Sequence, residues 1–124
     1  MQQLVECVPN FSEGRDSNKI GIIISEINKI SGVSLLDVSS GIDTNRTVVT
    51  FVGSISSVEE AAFQAIRVAS EIIDMRKHKG THARLGATDV CPFIPVSNIT
   101  MDDCISLSHR VAKRVGDDLS IPVY

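Results

Sequence analysis

Apolar residues in this chain recur with two different periods, and the order of those periods restricts the fold more than any bulk property. Leu4 to Val8 alternates as a strand and is ended by Pro9. Asn10 to Arg15 reads as a polar loop. Asp16 or Ser17 can cap a helix whose apolar positions are Ile20, Ile23, Ile24, Ile27 and Ile30. Those isoleucines would also suit a strand, so packing decides. Ser31-Gly32 is a stop signal. Val33 to Val38 predicts a second strand, Ser39 to Asn45 a loop, and the β-branched run Arg46 to Val52 a third strand.

Ser57-Val58-Glu59-Glu60 matches a capping box, followed by a helical stripe of Ala62, Ala65, Ile66, Ala69, Ile72 and Ile73. Ala87 to Val96 is strand-like but interrupted by Pro92 and Pro95, which predicts an irregular or edge strand. Thr100-Met101-Asp102-Asp103 is a second box-like cap. The stripe after it is Met101, Cys104, Ile105, Ser108, Val111, Ala112, Val115 and Leu119. Ile121 to Tyr124 begins one more strand.

The order is strand, helix, strand, strand, helix, strand, helix, strand. Its first six members match the split βαβ, ferredoxin-like pattern, with an extra helix and strand at the C-terminal end. The expected class is α+β, a sandwich with helices on one face of a mainly antiparallel sheet. The other face then needs a partner, or is a binding surface. The chain stops inside a strand-like run, which reads as a fragment or as a half that docks onto something.

The 124 residues predict one domain. A net charge of -3 and 22% charged residues fit neither a basic nucleic-acid binder nor an acidic disordered tail. The aromatics are Phe11, Phe51, Phe63, Phe93 and Tyr124, few for stacking on bases. No apolar run approaches the roughly 18 residues that span a bilayer, and no secretory signal is visible. Three widely spaced cysteines, Cys7, Cys91 and Cys104, then predict reduced thiols in a cytoplasmic protein. Cys7 and Cys91 lie in strand-like runs and read as small buried apolar groups.

The run from His78 to Pro95 concentrates the chemistry. Gly80 and Gly86 bracket His82 and Arg84 on a loop between a helix-like and a strand-like segment. An imidazole titrates near neutrality, so a positioned His82 is a candidate proton-transfer group. The alternative is a solvated or backbone-bonded loop histidine. Arg84 has the planar fork that binds carboxylates. His78 follows Arg76-Lys77 at a helix end, where cations are favoured by the dipole, and His109 reads as a surface residue. His78 and His82 have a helical metal-ligand spacing, but Gly80 lies between them and no third ligand is near in sequence, so no metal is expected. The Asn10 to Arg15 loop precedes a helix and could receive an anion, or Ser12, Asp16 and Ser17 only cap the helix. With the Ser39 to Arg46 loop, it could share one rim with the His82 segment.

Three blocks carry a family resemblance: Glu6-Cys7-Val8-Pro9-Asn10-Phe11-Ser12-Glu13-Gly14-Arg15, Asn45-Arg46-Thr47-Val48-Val49-Thr50-Phe51-Val52-Gly53, and His78 through Pro95. In their order and spacing they resemble the N-terminal subdomain of the formiminotransferase family. The resemblance implies transfer of a formimino group from N-formimino-L-glutamate to tetrahydrofolate, giving 5-formiminotetrahydrofolate and glutamate. That chemistry belongs to histidine degradation and one-carbon metabolism.

It also implies two ferredoxin-like subdomains with folate between them, residues 1–124 being the first. Tetrahydrofolate is then a co-substrate, and the partners are folate, formiminoglutamate and the second subdomain, with no nucleic acid or membrane. Self-association into a homo-oligomer is left open. The family's catalytic histidine falls on His82, while ligand contacts at Asn10, Asn45 and Arg84 are inferred from side-chain chemistry. Ala83 stands where the family commonly has proline, and Ser39 where it often has an acid, a role that Asp37 or Asp43 could take over. The alternative function is a truncated, non-enzymatic binding or interaction module.

Overall fold

The structure is a computed structural model and describes residues 2–73 and 86–123. Its elements in chain order are β1 (Leu4–Cys7), β2 (Asn10–Phe11), α1 (Ser17–Asn28), β3 (Val33–Gly41), β4 (Arg46–Gly53), α2 (Ile55–Ile72), β5 (Thr88–Val90), β6 (Phe93–Ser97) and α3 (Met101–Leu119).

β4 organises the sheet. It pairs with β3 along one edge and with both β1 and β2 along the other. β6 pairs with β1 and β5 with β2, and every pairing is antiparallel. β1 and β2 therefore act as one strand broken at Val8-Pro9, and β5 and β6 as one strand broken at Cys91-Pro92. Each break contains a proline, which has no N–H to give a ladder. The carbonyls at the breaks still serve: Val8 N donates to Pro92 O at 3.2 Å and Val49 N to Pro9 O at 3.1 Å. Counting each broken pair once, the order across the sheet is fourth, first, third, second strand. That is the expected α+β, ferredoxin-like arrangement.

The three helices lie on one face, α2 in contact with both α1 and α3. Inward residues of β1 and β4 (Val5, Cys7, Val49, Phe51) meet Ile23 and Ile27 of α1 and a long buried stripe on α2. The isoleucine run is helical because one of its faces packs against α2 and the sheet. Asp16 caps it, accepting from Asn18 N and Lys19 N. α3 starts with the expected capping box of Thr100 and Asp103. It is tied to α2 by Arg114, which pairs with Glu60 and lies 3.7 Å above the Phe63 ring. The Arg114 hydrogen bond is the main reason the Glu60 carboxyl is held below its ordinary range.

Five features differ from those the sequence predicts. Asn10-Phe11 is a strand rather than loop, because β4 and β5 both offer it ladder partners. β3 runs on through Ser39 and Ser40 to Gly41, so the turn itself is only residues 42–45. α2 is capped by Ser54 and not at Ser57, whose N–H donates to the Ser54 hydroxyl as part of the first turn. Met101 and Ile105 are 60% and 46% exposed instead of buried with the rest of the α3 stripe. Residues 121–123 form no strand. Ser120 ends α3 in a left-handed conformation (φ 56°), and Pro122 could not donate to a ladder.

The sheet face away from the helices carries Glu6, Val48, Thr50 and Val52, with the more exposed Ile94 and Val96 beside them. No described element covers it. Phe51 anchors the opposite, helix-covered face. Phe51→Ala is expected to destabilise the protein by about 3–5 kcal/mol, read as a lowered denaturant midpoint with unchanged slope. A loss under about 1 kcal/mol would mean that Phe51 is not the core residue described.

Candidate functional site

The described parts of the three sequence blocks meet at one end of the sheet. Residues 12–15, between β2 and α1, fold against the β3–β4 turn on one side and against the start of β5 on the other. Ser12 makes the second contact twice. Its N–H donates to Ala87 O at 2.8 Å, and its hydroxyl donates to Gly86 O at 2.6 Å. Those carbonyls are the first described residues after the His82 segment. Arg46 and Asp89, 3.5 Å apart and both largely buried, tie the start of β4 to β5.

The first contact depends on Gly14. A Cβ there would stand 2.3 Å from Gly41 O and 2.4 Å from Arg46 N, both backbone atoms. Glycine is required by this close approach. Gly14 N donates to Asn45 Oδ1 at 2.8 Å, and Asn45 itself is buried with φ 52°. Asparagine is among the few side chains that tolerate that backbone region. Thr47 Oγ1 donates to Glu13 O, and Ser40 and Thr47 hydroxyls lie 2.9 Å apart.

Glu13 is a buried carboxylate with a local task. Its Oε2 accepts from Arg15 N at 3.1 Å and Asp16 N at 3.0 Å, with Lys19 Nζ 4.0 Å from the other oxygen. With Asp16 it places two carboxylates at the start of α1. Of the expected caps only Asp16 serves, accepting from Asn18 N and Lys19 N, while Ser12 bonds Gly86 and Ala87 and Ser17 is the first helical residue. The Arg15 guanidinium donates to Ile42 O at 2.8 Å, so it also braces the turn.

The four residues singled out from sequence fare differently. Asn10 lies on the open sheet face, opposite Val48 and Val90, and its Nδ2 donates to Val8 O at 3.2 Å. Asn45 is not on that face, and its amide oxygen is used to hold Gly14. His82 and Arg84, with His78 and Ala83, lie outside the described residues. Ser39 and Asp37 share the open face, opposite Val48 and Thr50 respectively, whereas Asp43 is in the turn. An acid is therefore present on the face that carries Ser39, two residues away along the strand.

Sequence reasoning missed Ser12, Glu13 and Gly14 as the organisers of this corner. The available signal was a glycine flanked by Glu13 and Arg15 just ahead of the Asp16 cap. Among the described residues, no group of three or more His, Cys, Asp or Glu is placed to hold a metal ion. No described helix is long and apolar enough to cross a membrane.

Fold and site together define an α+β subdomain with helices on one side and a polar corner beside an open sheet face. Residues 4–124 match the family model for the formiminotransferase domain, N-terminal subdomain, and the chain belongs to that family. It is 53% identical over 124 residues to rat (Rattus norvegicus) formimidoyltransferase-cyclodeaminase, covering all of this chain and 23% of that protein. It is 49% identical over 124 residues to glutamate formimidoyltransferase of Streptococcus pyogenes serotype M1, covering all of this chain and 42% of that protein. A glutamate formimidoyltransferase from Thermoplasma acidophilum is 49% identical over 121 residues, covering 98% of this chain and 40% of the relative. The chain thus spans less than half the length of these curated relatives.

Gly14 and Gly21 give opposite expectations for the same substitution. Gly14→Ala is expected to cost about 3 kcal/mol or more, because backbone must move. Gly21, helical and with nothing within 4 Å of its added Cβ, is expected to gain about 0.5–1 kcal/mol as alanine. Thermal denaturation of the two variants checks the contrast; equal effects would refute the close approach at Gly14.

Proposed function

We propose that this chain is the histidine-bearing half of a glutamate formimidoyltransferase. It would move a formimino group from N-formimino-L-glutamate to tetrahydrofolate. The observation that carries the reading is the match of residues 4–124 to the family model, joined to full coverage of this chain by transferases near 50% identity. The convergence of Ser12, Asn45 and Gly86 at one corner supports it, because that corner anchors the exit of the His82 segment.

In the proposed reaction, nitrogen-5 of tetrahydrofolate attacks the formimino carbon. His82 takes the proton from that nitrogen. The carbon–nitrogen bond to glutamate then breaks, and His82 returns the proton to the departing amine. Arg84 pairs with a substrate carboxylate through two parallel hydrogen bonds. Asn10, on the open sheet face, donates to or accepts from the folate. Asn45 contributes through the loop it holds. Asp37 stands in for the acid that Ser39 lacks. The apolar centre of the open face, with Val48, Val52 and Ile94, receives the folate ring and a second subdomain, so folate lies between two sheets. Its mixed polar and apolar lining suits a flat heterocycle with hydrogen-bonding edges.

His82→Asn is expected to lower turnover by about 10²–10⁴-fold in the complete transferase while leaving its circular dichroism and melting temperature unchanged. Formimino transfer to tetrahydrofolate, measured as glutamate released, reads the effect. Unchanged turnover would sink the assignment of the catalyst.

A further inference from the structure

The chain has three cysteines, and the transferase reading uses none of them. Two lie in contact: Cys7 Sγ and Cys91 Sγ are 3.6 Å apart. Cys7 is on the helix-facing side of β1 and fully buried. Cys91 is half-buried in the break between β5 and β6. It lines an open pocket of about 260 Å³ together with Pro92, Phe93, Met101, Cys104, Ile105 and Ser108. The exposed side chains of Met101 and Ile105 belong to this pocket, so small solutes reach it from solvent.

We propose that Cys7 and Cys91 are a redox-responsive pair that hydrogen peroxide converts to a disulfide, with Cys91 as the sulfur first attacked. The gap must shrink from 3.6 Å to about 2.05 Å. That movement falls on the residues best able to make it. Cys91 and Pro92 lie outside both strands, and the ladder registers on either side, Asn10 with Val90 and Cys7 with Phe93, need not change.

The chemistry balances with peroxide as the only added reactant. The Cys91 thiolate attacks one peroxide oxygen, the O–O bond breaks, and the products are a Cys91 sulfenic acid and, after protonation, water. Cys7 sulfur then attacks Cys91 sulfur. The S–S bond forms, the S–O bond breaks, and a second water leaves with the Cys7 proton. Two thiols lose two electrons and one peroxide is reduced to two waters. Burial pushes the Cys7 thiol well above its ordinary range, and its contact with Cys91 adds to this. Cys7, fully buried and 3.6 Å from Cys91, is shielded from peroxide and placed as the resolving thiol that attacks once its neighbour is oxidised. Burial also raises the Cys104 thiol, with the Asp103 carboxylate adding to it.

The product would staple β1 to the β5–β6 junction, on the strand that leads out of the His82 segment. The proposal does not depend on the transferase reading, and its test needs no activity. The whole protein is treated with limiting hydrogen peroxide, then digested without reduction and mapped by mass spectrometry. The expected result is loss of two hydrogens in the intact mass and a Cys7–Cys91 cross-linked peptide, both reversed by dithiothreitol. Cys104→Ser should leave the cross-link in place. Cys7→Ala should let dimedone trap Cys91 as its sulfenic acid. A Cys91–Cys104 cross-link, over-oxidation of Cys91 with Cys7 still reduced, or an unchanged mass would each overturn it. The wild-type map decides the matter even if a variant fails to fold.

Discussion

The backbone of Gly14 rests against the backbone of Gly41 and Arg46 where no side chain would fit, and the corner where the three sequence blocks meet depends on that contact. It brings the loop after β2 down onto the β3–β4 turn. The approach lets Asn45 accept from Gly14 N, Thr47 donate to Glu13 O, and Ser12 face the carbonyls of Gly86 and Ala87. Polar residues can be buried here because they find partners among themselves. Three segments distant in sequence are thereby fixed to one another with a small set of local bonds. Positioning of this kind, on rigid elements with satisfied supporting bonds, is what transfer chemistry requires of a scaffold.

The second constraint is the one-sidedness of the sheet. All three helices lie on the face that carries Val5, Cys7, Val49 and Phe51. The other face presents Val48, Val52, Ile94 and Val96 among polar neighbours, and no described element covers it. Asn10 belongs to this face although it lies beside the Gly14 corner, so it links the open sheet to the site. The chain matches an N-terminal subdomain and spans 23% of one of these relatives and 42% of another.

Much of the fold was legible where local chemistry and packing agree. Asp16 as a cap, the isoleucine stripe of α1 and the Thr100–Asp103 box of α3 are local signals, and the packed structure retains them. Structure departs from local signal where tertiary pairing decides. Asn10, Ser39 and Ser40 are poor strand formers, yet β4 is long enough to pair with all three. Ser54 and Ser57 are equally good capping residues by type, and the helix takes the first, with Ser57 N–H donating to the Ser54 hydroxyl. The left-handed Ser120 that turns the chain away before Ile121 has no sequence signal as strong as a glycine. The histidine-bearing block is legible as part of a family match over residues 4–124, and His82 lies outside the described residues. The task of Asn45 is not legible, because a buried asparagine holding a glycine N–H looks the same in sequence as one that binds ligand.

The central claim is that the open sheet face, and not the helical face, is where folate binds. Methyl-resolved NMR of the complete transferase during a tetrahydrofolate titration tests it directly. The account predicts shifts concentrated at Val48, Val52, Val90 and Ile94, with Ile22, Ile23 and Ile27 of α1 unmoved. Shifts confined to the helix-side isoleucines, with the open-face methyls silent at saturation, would contradict it.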